Sequence, residues 1–419
     1  MKDRFWFYFT KLEKIIIVVI LLHAGGVRFF RPAYLSTTQG TVTSTTTNLA
    51  IYAVTFLLIA LKWKHFVYAL TKQKLLLLVI IFTLCSVLWS VNVESTLSTN
   101  KGLVRATALG IYIASRYSLK EQLDLAAWTF GSAAIISLLY CLAFPDLGIQ
   151  FANPEETAGW RGVFFHKNHF GRQMGYASAI FLIFIQKQHR PRWIYWSLFG
   201  VSSSLLLLSN SKTVLLCFLV SVALLPIITI LRQSITRLLI ILPYILLFIV
   251  GLSASLWLNL ESILAVLGKD MSFTGRVPMW IFLGEKLAER PWFGYGHSAF
   301  WDNVRNDTGY LYSFNWDFGD AHNGFIEVAL SIGIIGLILF MLSYLSAYQK
   351  AIALIRLNDS AENVWCLQFL TITLITNLTI GTSFLETSSY WILFVSTLFS
   401  LSLKSHSLKK TRVVPSISY

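Results

Sequence analysis

Charged side chains are scarce in this sequence. Asp, Glu, Lys and Arg supply 13% of its 419 residues, whereas soluble domains usually carry about 25%. Hydrophobic residues reach 55%, and the mean hydropathy is +0.63. This composition argues against an ordinary soluble domain and predicts an integral membrane protein that crosses the bilayer several times.

Cysteine is scarce as well, and its placement carries no chemical signature. Cys85, Cys141, Cys217 and Cys366 all lie inside apolar runs. They show neither CxxC spacing nor the pattern of a disulfide framework. We therefore predict that they are small buried hydrophobic residues.

The net charge of +14 raises the question of a nucleic-acid partner. The basic residues, however, fall in short clusters between apolar runs, such as Lys62 to Lys74. This is the positive-inside pattern of membrane proteins and not one basic face, so we predict membrane lipid and no nucleic acid as a partner. It places both termini of a multi-pass membrane protein in the cytoplasm.

About twelve apolar runs are long enough to cross ~30 Å of hydrocarbon as helices. The first follows MKDRFWFYFTKLEK without a clear cleavage site, so it is interpreted as an uncleaved span. The whole chain, 1–419, is predicted to form a single all-α integral membrane domain. The runs cover 14–30, 48–62, 75–91, 102–117, 122–144, 171–187, 193–209, 211–231, 237–258, 323–346, 363–382 and 388–404.

Two long segments, 145–170 and 259–322, fall on the extracytoplasmic side in this topology. The first leads into RGVFFHKNHFGRQMG, residues 161–175, which we call the basic motif. Its positive charge opposes the positive-inside rule and therefore needs a local reason.

A bound anion would explain the positive charge of the basic motif. Asn168 is a suitable N-cap for the following span, and a helix N-terminus attracts negative charge. Arg161, Lys167 and Arg172 add cations, and the planar fork of arginine suits phosphate oxygens. The alternative is that these cations only anchor a helix end to lipid headgroups.

His166 stands in the same motif, three residues before His169. Because no acid or thiol is adjacent to these two histidines, we predict no metal site.

Two further outer stretches carry cations. SNSKT, 209–213, is a short turn in which Lys212 is the only cation, and a plain hairpin turn remains the alternative. DMSFTGRVPMWIFLGEKLAERPWFGYG, 270–296, predicts a helix that lies on the membrane surface within the large loop 259–322. Arg276 stands at its start, where a solvated loop arginine is the alternative.

The stretch DAHNGFIEVALSIGIIGLILF, 320–340, places His322 and Asn323 at the outer end of a span. Histidine is the side chain best suited to exchange protons near neutral pH. Glu327 lies inside the span, where a carboxylate is costly and indicates either function or the orientation of another group. Arg105, inside an earlier span, is predicted to face the protein interior for the same reason.

These stretches supply fixed cations, one candidate base and many aromatics on one side of the membrane. A diphosphate is the anion that best matches two arginines. At the outer leaflet, a lipid-attached diphosphate suggests a polyprenyl-linked sugar donor.

The order RGVFFHKNHFG, SNSKT, TGR…W…ERPWFGYGHSAF and AHNGFIEVALSIGIIGLILF resembles the O-antigen ligase and polymerase superfamily (Wzy C-terminal type). The HKN form is most similar to its ExoQ-like exopolysaccharide-polymerase branch. The resemblance implies a GT-C-like all-helical fold and inverting glycosyl transfer on the outer face of the inner membrane, without metal or cofactor. It also implies a polyprenyl-diphosphate-linked glycan donor, an acceptor glycan or lipid-linked glycan, and a chain-length regulator as a further candidate partner.

Carried onto this sequence, the resemblance makes Arg161 and Arg276 the clamp for the diphosphate and His322 the base for the acceptor hydroxyl. The family often has Ser-Arg in the short outer turn, where this chain has Ser211 and Lys212. Bidentate contact with phosphate is therefore in doubt at that turn. The remaining candidate substrate-binding residues are His166, Lys167, Asn168, Arg172, Lys212 and Asn323.

Two other functions fit part of this pattern. An O-antigen ligase, which transfers the glycan to lipid A–core, would use the same motifs and differ only in its acceptor. A secondary transporter would also fit twelve spans, but such proteins usually show paired halves, and no half-repeat is evident here.

Overall fold

The computed structural model describes residues 2–27, 45–151, 157–187, 192–223, 226, 276–305, 320–379, 381 and 384–413. This part of the chain is almost entirely helical, which confirms the all-α prediction. Its one sheet pairs two short antiparallel strands, β1 (Ile149–Gln150) and β2 (Gly159–Trp160). The helices are α1 Lys2–Ala24, α2 Thr45–Leu61, α3 Trp63–Leu70, α4 Lys74–Cys85, α5 Val93–Arg116, α6 Leu119–Ala143, α7 Pro145–Gly148, α8 Lys167–Lys187, α9 Arg192–Leu208, α10 Lys212–Ala223, α11 Arg276–Glu289, α12 Ala299–Arg305, α13 Gly324–Leu357, α14 Ala361–Thr379 and α15 Ser389–Val413.

The apolar runs of the sequence coincide, at least in part, with helices wherever the structure describes them. The run 237–258 lies outside the described residues. By length and composition, two described helices can cross a membrane: Leu119–Ala143 and Gly324–Leu357. A third span results if α2 and α3, which meet at a 91° bend, are taken together. The count of twelve spans is therefore not confirmed.

Side-chain caps explain where several helices begin. Asn92 accepts a hydrogen bond from the Ser95 amide at the start of α5. Ser118 and Glu121 form a capping box at the start of α6, in which each side chain bonds the backbone of the other. Asn323 caps α13 by accepting hydrogen bonds from the amides of its first turn. The start of the predicted span 323–346 is thus confirmed.

Close packing between α5 and α15 builds the centre of the core. An added Cβ at Gly110 would lie 2.7 Å from the carbonyl oxygen of Ile392, so only glycine allows this approach. Trp391 is fully buried beside it and donates a hydrogen bond to Thr107. Arg105, also on α5, donates to Asn48 and lies over the ring of Tyr52, so it faces α2.

The cysteines are free thiols, as the sequence predicted. Cys141, Cys217 and Cys366 are buried. Cys85 is exposed, contrary to prediction, because it lies on the outward face at the end of α4.

Helix α13 is broken at Gly333, whose φ of 70° and ψ of −177° are not helical. The turn 291–296 fills the break. The Tyr295 amide donates to the Leu330 carbonyl at 2.7 Å, and the Ile334 amide donates to the Pro291 carbonyl at 2.8 Å. These bonds satisfy backbone groups that an interrupted helix would leave without partners. They also fix the N-terminal half of α13 to this turn.

Helix α11, Arg276–Glu289, confirms that a helix forms within the stretch 270–296. Met279 and Leu283, on its predicted apolar face, are buried. Trp280 donates a hydrogen bond from its indole nitrogen to the carbonyl of Ala321, 2.8 Å away. This bond ties α11 to the segment 320–323, which precedes α13 and which we call the mouth segment. That α11 lies on a membrane surface stays a prediction.

Candidate active site

The mouth segment holds an acid and a histidine in direct contact. Nδ1 of His322 lies 2.8 Å from Oδ1 of Asp320, and the same oxygen accepts a hydrogen bond from the His322 amide at 2.7 Å. His322 has a φ of 48°, in the left-handed region that side chains other than glycine rarely adopt. Such local strain is common at functional sites.

This contact prepares the imidazole to accept a proton. When Nδ1–H donates to Asp320, Nε2 keeps its lone pair, and 38% of the His322 side chain is exposed. Partial burial disfavours the ionised carboxyl of Asp320, but the hydrogen bonds and charge of His322 outweigh it and lower its pKa. An ionised acid beside Nδ1 stabilises the imidazolium that forms when Nε2 takes a proton.

Arg172 connects the basic motif to this histidine. Its side chain is buried, donates to the carbonyl of Gly381 at 3.2 Å and lies 4.4 Å from the ring centre of Tyr390. Gly381 in turn packs against His322, since an added Cβ would lie 3.1 Å from the His322 Cα. The structure therefore brings the end of the basic motif and the mouth segment together, with Gly381 between them.

The middle of the basic motif is bonded largely to its own neighbourhood. The ammonium of Lys167 is buried and donates to the hydroxyl and the carbonyl of Thr157. Asn168 was predicted to cap α8, but the helix already begins at Lys167. Instead, Nδ1 of His166 accepts the Asn168 amide at 3.1 Å, and Oδ1 of Asn168 accepts the hydroxyl of Ser211. The side chain of Asn168 thus holds the turn before α10.

The other predicted cations lie at different places. Arg161 is partly buried, and its Nε donates to the carbonyl of Leu147 at 3.0 Å. Lys212 is exposed at the first residue of α10. Arg276 begins α11, but its side chain lies outside what the structure describes. The clamp of Arg161 and Arg276 therefore remains a prediction.

A cavity of about 130 Å³ adjoins the mouth segment. Its lining includes Asp320, Glu327, Trp301, His297 and Glu386. Glu327 accepts hydrogen bonds from the Trp301 indole at 3.0 Å and from the Ala321 amide at 2.5 Å. Of the two roles considered for Glu327, these bonds match the orientation of another group, because they join α12 to the mouth segment.

Two residues of this cavity were missed from the sequence. Glu386 lies in the short connection between α14 and α15, and its position as the one acid between two apolar runs was the available signal. Burial raises the pKa of its carboxyl to about 7; Arg172 opposes this shift and Asp320 adds to it.

His297 is the second missed residue, and it is buried. Its Nδ1 lies 2.8 Å from Oδ1 of Asn100, and its Nε2 lies 2.8 Å from the carbonyl oxygen of Leu385. Burial lowers its pKa to about 4, so it is a neutral structural ring at physiological pH. The sequence contained little indication of this role, because a single histidine after PWFGYG does not show which residues it would bond.

Metal ligands are not grouped in the part of the chain that the structure describes. Within those residues, no set of three or more His, Cys, Asp or Glu side chains has the arrangement to hold a metal ion. Nδ1 of His166, one of the two histidines considered as ligands, accepts a backbone amide.

Comparison with known proteins adds two findings. Residues 198–341 match the family model described as "O-Antigen ligase", a region that extends from α9 into α13. Exopolysaccharide production protein ExoQ of Rhizobium meliloti (strain 1021) is 26% identical over 284 residues, which cover 64% of this chain. The chain matches 62% of the length of that relative. Together with the apolar helices, these matches indicate a multi-pass membrane protein. They confirm the resemblance to the O-antigen ligase and polymerase superfamily and to its ExoQ-like branch.

Proposed function

We propose that this protein is a polysaccharide polymerase. It transfers a polyprenyl-diphosphate-linked glycan to an acceptor glycan, with inversion and without a metal ion. The observation that carries this proposal is the Asp320–His322 pair, which meets the buried Arg172 of the basic motif through Gly381. A base beside a fixed cation is what transfer from a diphosphate leaving group requires.

In the reaction, Nε2 of His322 takes the proton of the acceptor hydroxyl, and the hydroxyl oxygen attacks the anomeric carbon of the donor. The bond between that carbon and the diphosphate oxygen breaks, and the diphosphate leaves with the electron pair. Because attack comes from the opposite face, the anomeric configuration inverts. A positioned base of this kind typically contributes ~10²–10⁴ in rate.

The departing diphosphate gains negative charge in the transition state, which fixed cations stabilise. Arg161 and Arg276 are proposed to bind it in bidentate fashion, and Arg172, Lys167 and Lys212 add positive potential. His166, Asn168 and Asn323 complete the proposed substrate-binding set.

The proposed topology has about twelve spans in a GT-C-like arrangement, with both termini in the cytoplasm. It places 145–170 and 259–322 on the outer face of the bacterial inner membrane, where the lipid-linked donor is presented. A chain-length regulator is a further proposed partner.

Two alternatives have an observation in their favour. The description of the matching family model favours an O-antigen ligase, which would transfer the glycan to lipid A–core. The break at Gly333 favours a secondary transporter, since such proteins bind substrates at interrupted helices. Against a transporter stands the sequence, in which no half-repeat is evident.

The lipid-linked glycans of a deletion strain distinguish these functions. Loss of a polymerase leaves single repeat units on the polyprenyl carrier, and loss of a ligase leaves long chains that are not attached to lipid A–core. Complementation by the wild type but not by His322→Ala ties the phenotype to the proposed chemistry. An unchanged glycan profile would overturn both transferase functions.

A further inference from the structure

The connection between α14 and α15 holds Glu386 in an unusual backbone conformation. Leu385, the preceding residue, has a φ of 57°. A left-handed conformation at a non-glycine residue persists only where its surroundings enforce it. The effect of this kink is that Glu386 lines the cavity beside the mouth segment.

His297 holds Leu385 in this conformation. Its Nε2 donates to the carbonyl of Leu385, and its backbone amide donates to the hydroxyl of Ser86 at 3.0 Å. The ring also contacts Asn100 on α5. One buried histidine thus fixes the Leu385 carbonyl to two other parts of the core, and this fixes the entry of the Glu386 side chain into the cavity.

The charges around Glu386 are arranged unevenly. Arg172 acts on it from the side of the basic motif, whereas the carboxyl groups of Asp320 and Glu327 line the cavity itself. Glu327 is held by Trp301 and Ala321, and Asp320 is held by His322. Glu386 is therefore the carboxylate of this cavity best placed to bind something that enters it.

We propose that Glu386 determines acceptor specificity by accepting hydrogen bonds from hydroxyl groups of the acceptor's terminal sugar. The cavity then admits a sugar without an acidic group and excludes a uronic acid. This inference rests on the proposed transferase function. A carboxylate accepts hydroxyl donors strongly, whereas a like charge placed opposite it is repelled. The buried ring of Trp301 adds apolar surface to the same cavity.

The test uses the full-length protein in nanodiscs with a polyprenyl-diphosphate-linked glycan donor. Two soluble acceptors are compared, a neutral hexoside and the hexuronoside that differs only by a carboxylate at C6. We expect the wild type to prefer the neutral acceptor in kcat/KM by at least about tenfold. In Glu386→Gln this preference should fall severalfold, because the amide still bonds hydroxyls but does not repel the carboxylate.

Glu94→Gln is the matched control, since it removes one negative charge from an exposed glutamate at the start of α5. It should keep the wild-type preference. If Glu386→Gln lowers transfer to both acceptors by the same factor, Glu386 is only structural and the proposal is overturned. A wild-type preference for the hexuronoside would overturn it as well.

Acceptor binding without donor separates this inference from the proposed function. Calorimetry of the neutral hexoside and the hexuronoside needs no turnover. If the wild type transfers to neither acceptor, the transferase function fails. Binding of the neutral hexoside that weakens in Glu386→Ala and not in Glu94→Gln would still support the sugar site. Binding that is equal in all three proteins would overturn it.

Discussion

Nδ1 of His322 lies 2.8 Å from Oδ1 of Asp320, and this contact determines which ring nitrogen can act as a base. The acid fixes the proton on Nδ1 and leaves Nε2 to accept the proton of a substrate. The same division of roles occurs wherever a carboxylate orients a catalytic histidine. The backbone of His322 lies in the left-handed region, with a φ of 48°, where this contact is made.

Replacement of either member of this pair should reduce turnover more than donor binding. We expect His322→Ala to lose ~10²–10⁴ in kcat, the usual worth of a general base. Asp320→Asn should lose less, because the ring that accepts the proton remains and only its orientation and tautomer are disturbed. Donor affinity and product formation are measured for each variant in nanodiscs.

Asp359→Asn is the control for that experiment, because it removes an aspartate that is paired with Lys187 at 2.7 Å, away from the mouth segment. It should transfer at the wild-type rate. If His322→Ala keeps its turnover but binds donor weakly, the histidine is a phosphate ligand and not a base.

Gly381→Ala should reduce both stability and transfer. Gly381 has a φ of 75°, and its added Cβ would lie 3.0 Å from the Asn323 amide nitrogen and 3.1 Å from the His322 Cα. The strain and the contact displace His322 and the carbonyl that Arg172 bonds, at a cost of about 1–3 kcal/mol. Thermal unfolding in detergent and transfer are measured together.

Gly200→Ala serves as its matched control, because an added Cβ there meets nothing within 4 Å in α9. Alanine in the interior of a helix should stabilise by roughly 0.5–1 kcal/mol and leave transfer unchanged. Equal effects of the two substitutions would show that Gly381 has no particular link to the site.

Arg276→Lys should impair transfer nearly as much as Arg276→Ala. A diphosphate requires a planar, bidentate partner, which a point charge replaces poorly. Membrane abundance of both variants is measured by immunoblot, and it should remain normal because the substitution is at the first residue of α11. Full polymer output from Arg276→Lys would remove Arg276 from the clamp.

Acceptor preference should depend on pH through Glu386. Its pKa is raised to about 7 by burial, with Arg172 opposing and Asp320 reinforcing the shift. The carboxyl is therefore ionised above this value and loses its charge as the pH falls through it. The hexuronoside keeps its charge there, since an ordinary carboxyl titrates near pH 4.

The preference for the neutral acceptor should consequently decline between about pH 8 and pH 6. The kcat/KM ratio of the two acceptors is the quantity to measure, because it cancels effects on the base. Asp320, Glu327 and His297 also face this cavity, so Glu386→Gln is required as the control, and its ratio should change less over this range than that of the wild type. A wild-type ratio that is constant over this range would contradict the assignment.

Chelators should leave transfer intact in the purified protein. The mechanism assigns charge neutralisation of the diphosphate to arginine and lysine side chains. Transfer is measured before and after dialysis against EDTA. Loss of activity that Mg²⁺ or Mn²⁺ restores would instead return His166 and His169 to consideration as ligands.

The pattern of apolar runs was sufficient to predict an all-α chain, because helices that must bury apolar surface leave a hydrophobic signature of fixed length. The same local chemistry marked Asn323 as the start of a helix and Arg276 as the start of another. His322 and Arg172 were recognised as candidates because cations and a histidine stand out against an apolar background.

Sequence position could not show which of these residues meet. Arg172, His322 and Gly381 are far apart along the chain, and only the packing of α8, α13 and the segment after α14 brings them together. The N-cap of α8 was misassigned for a related reason. The hydroxyl of Ser211, from a turn distant in sequence, donates a hydrogen bond to the Asn168 side chain. Local propensity determines that a helix forms, but long-range hydrogen bonds and close contacts at glycine determine what its end faces.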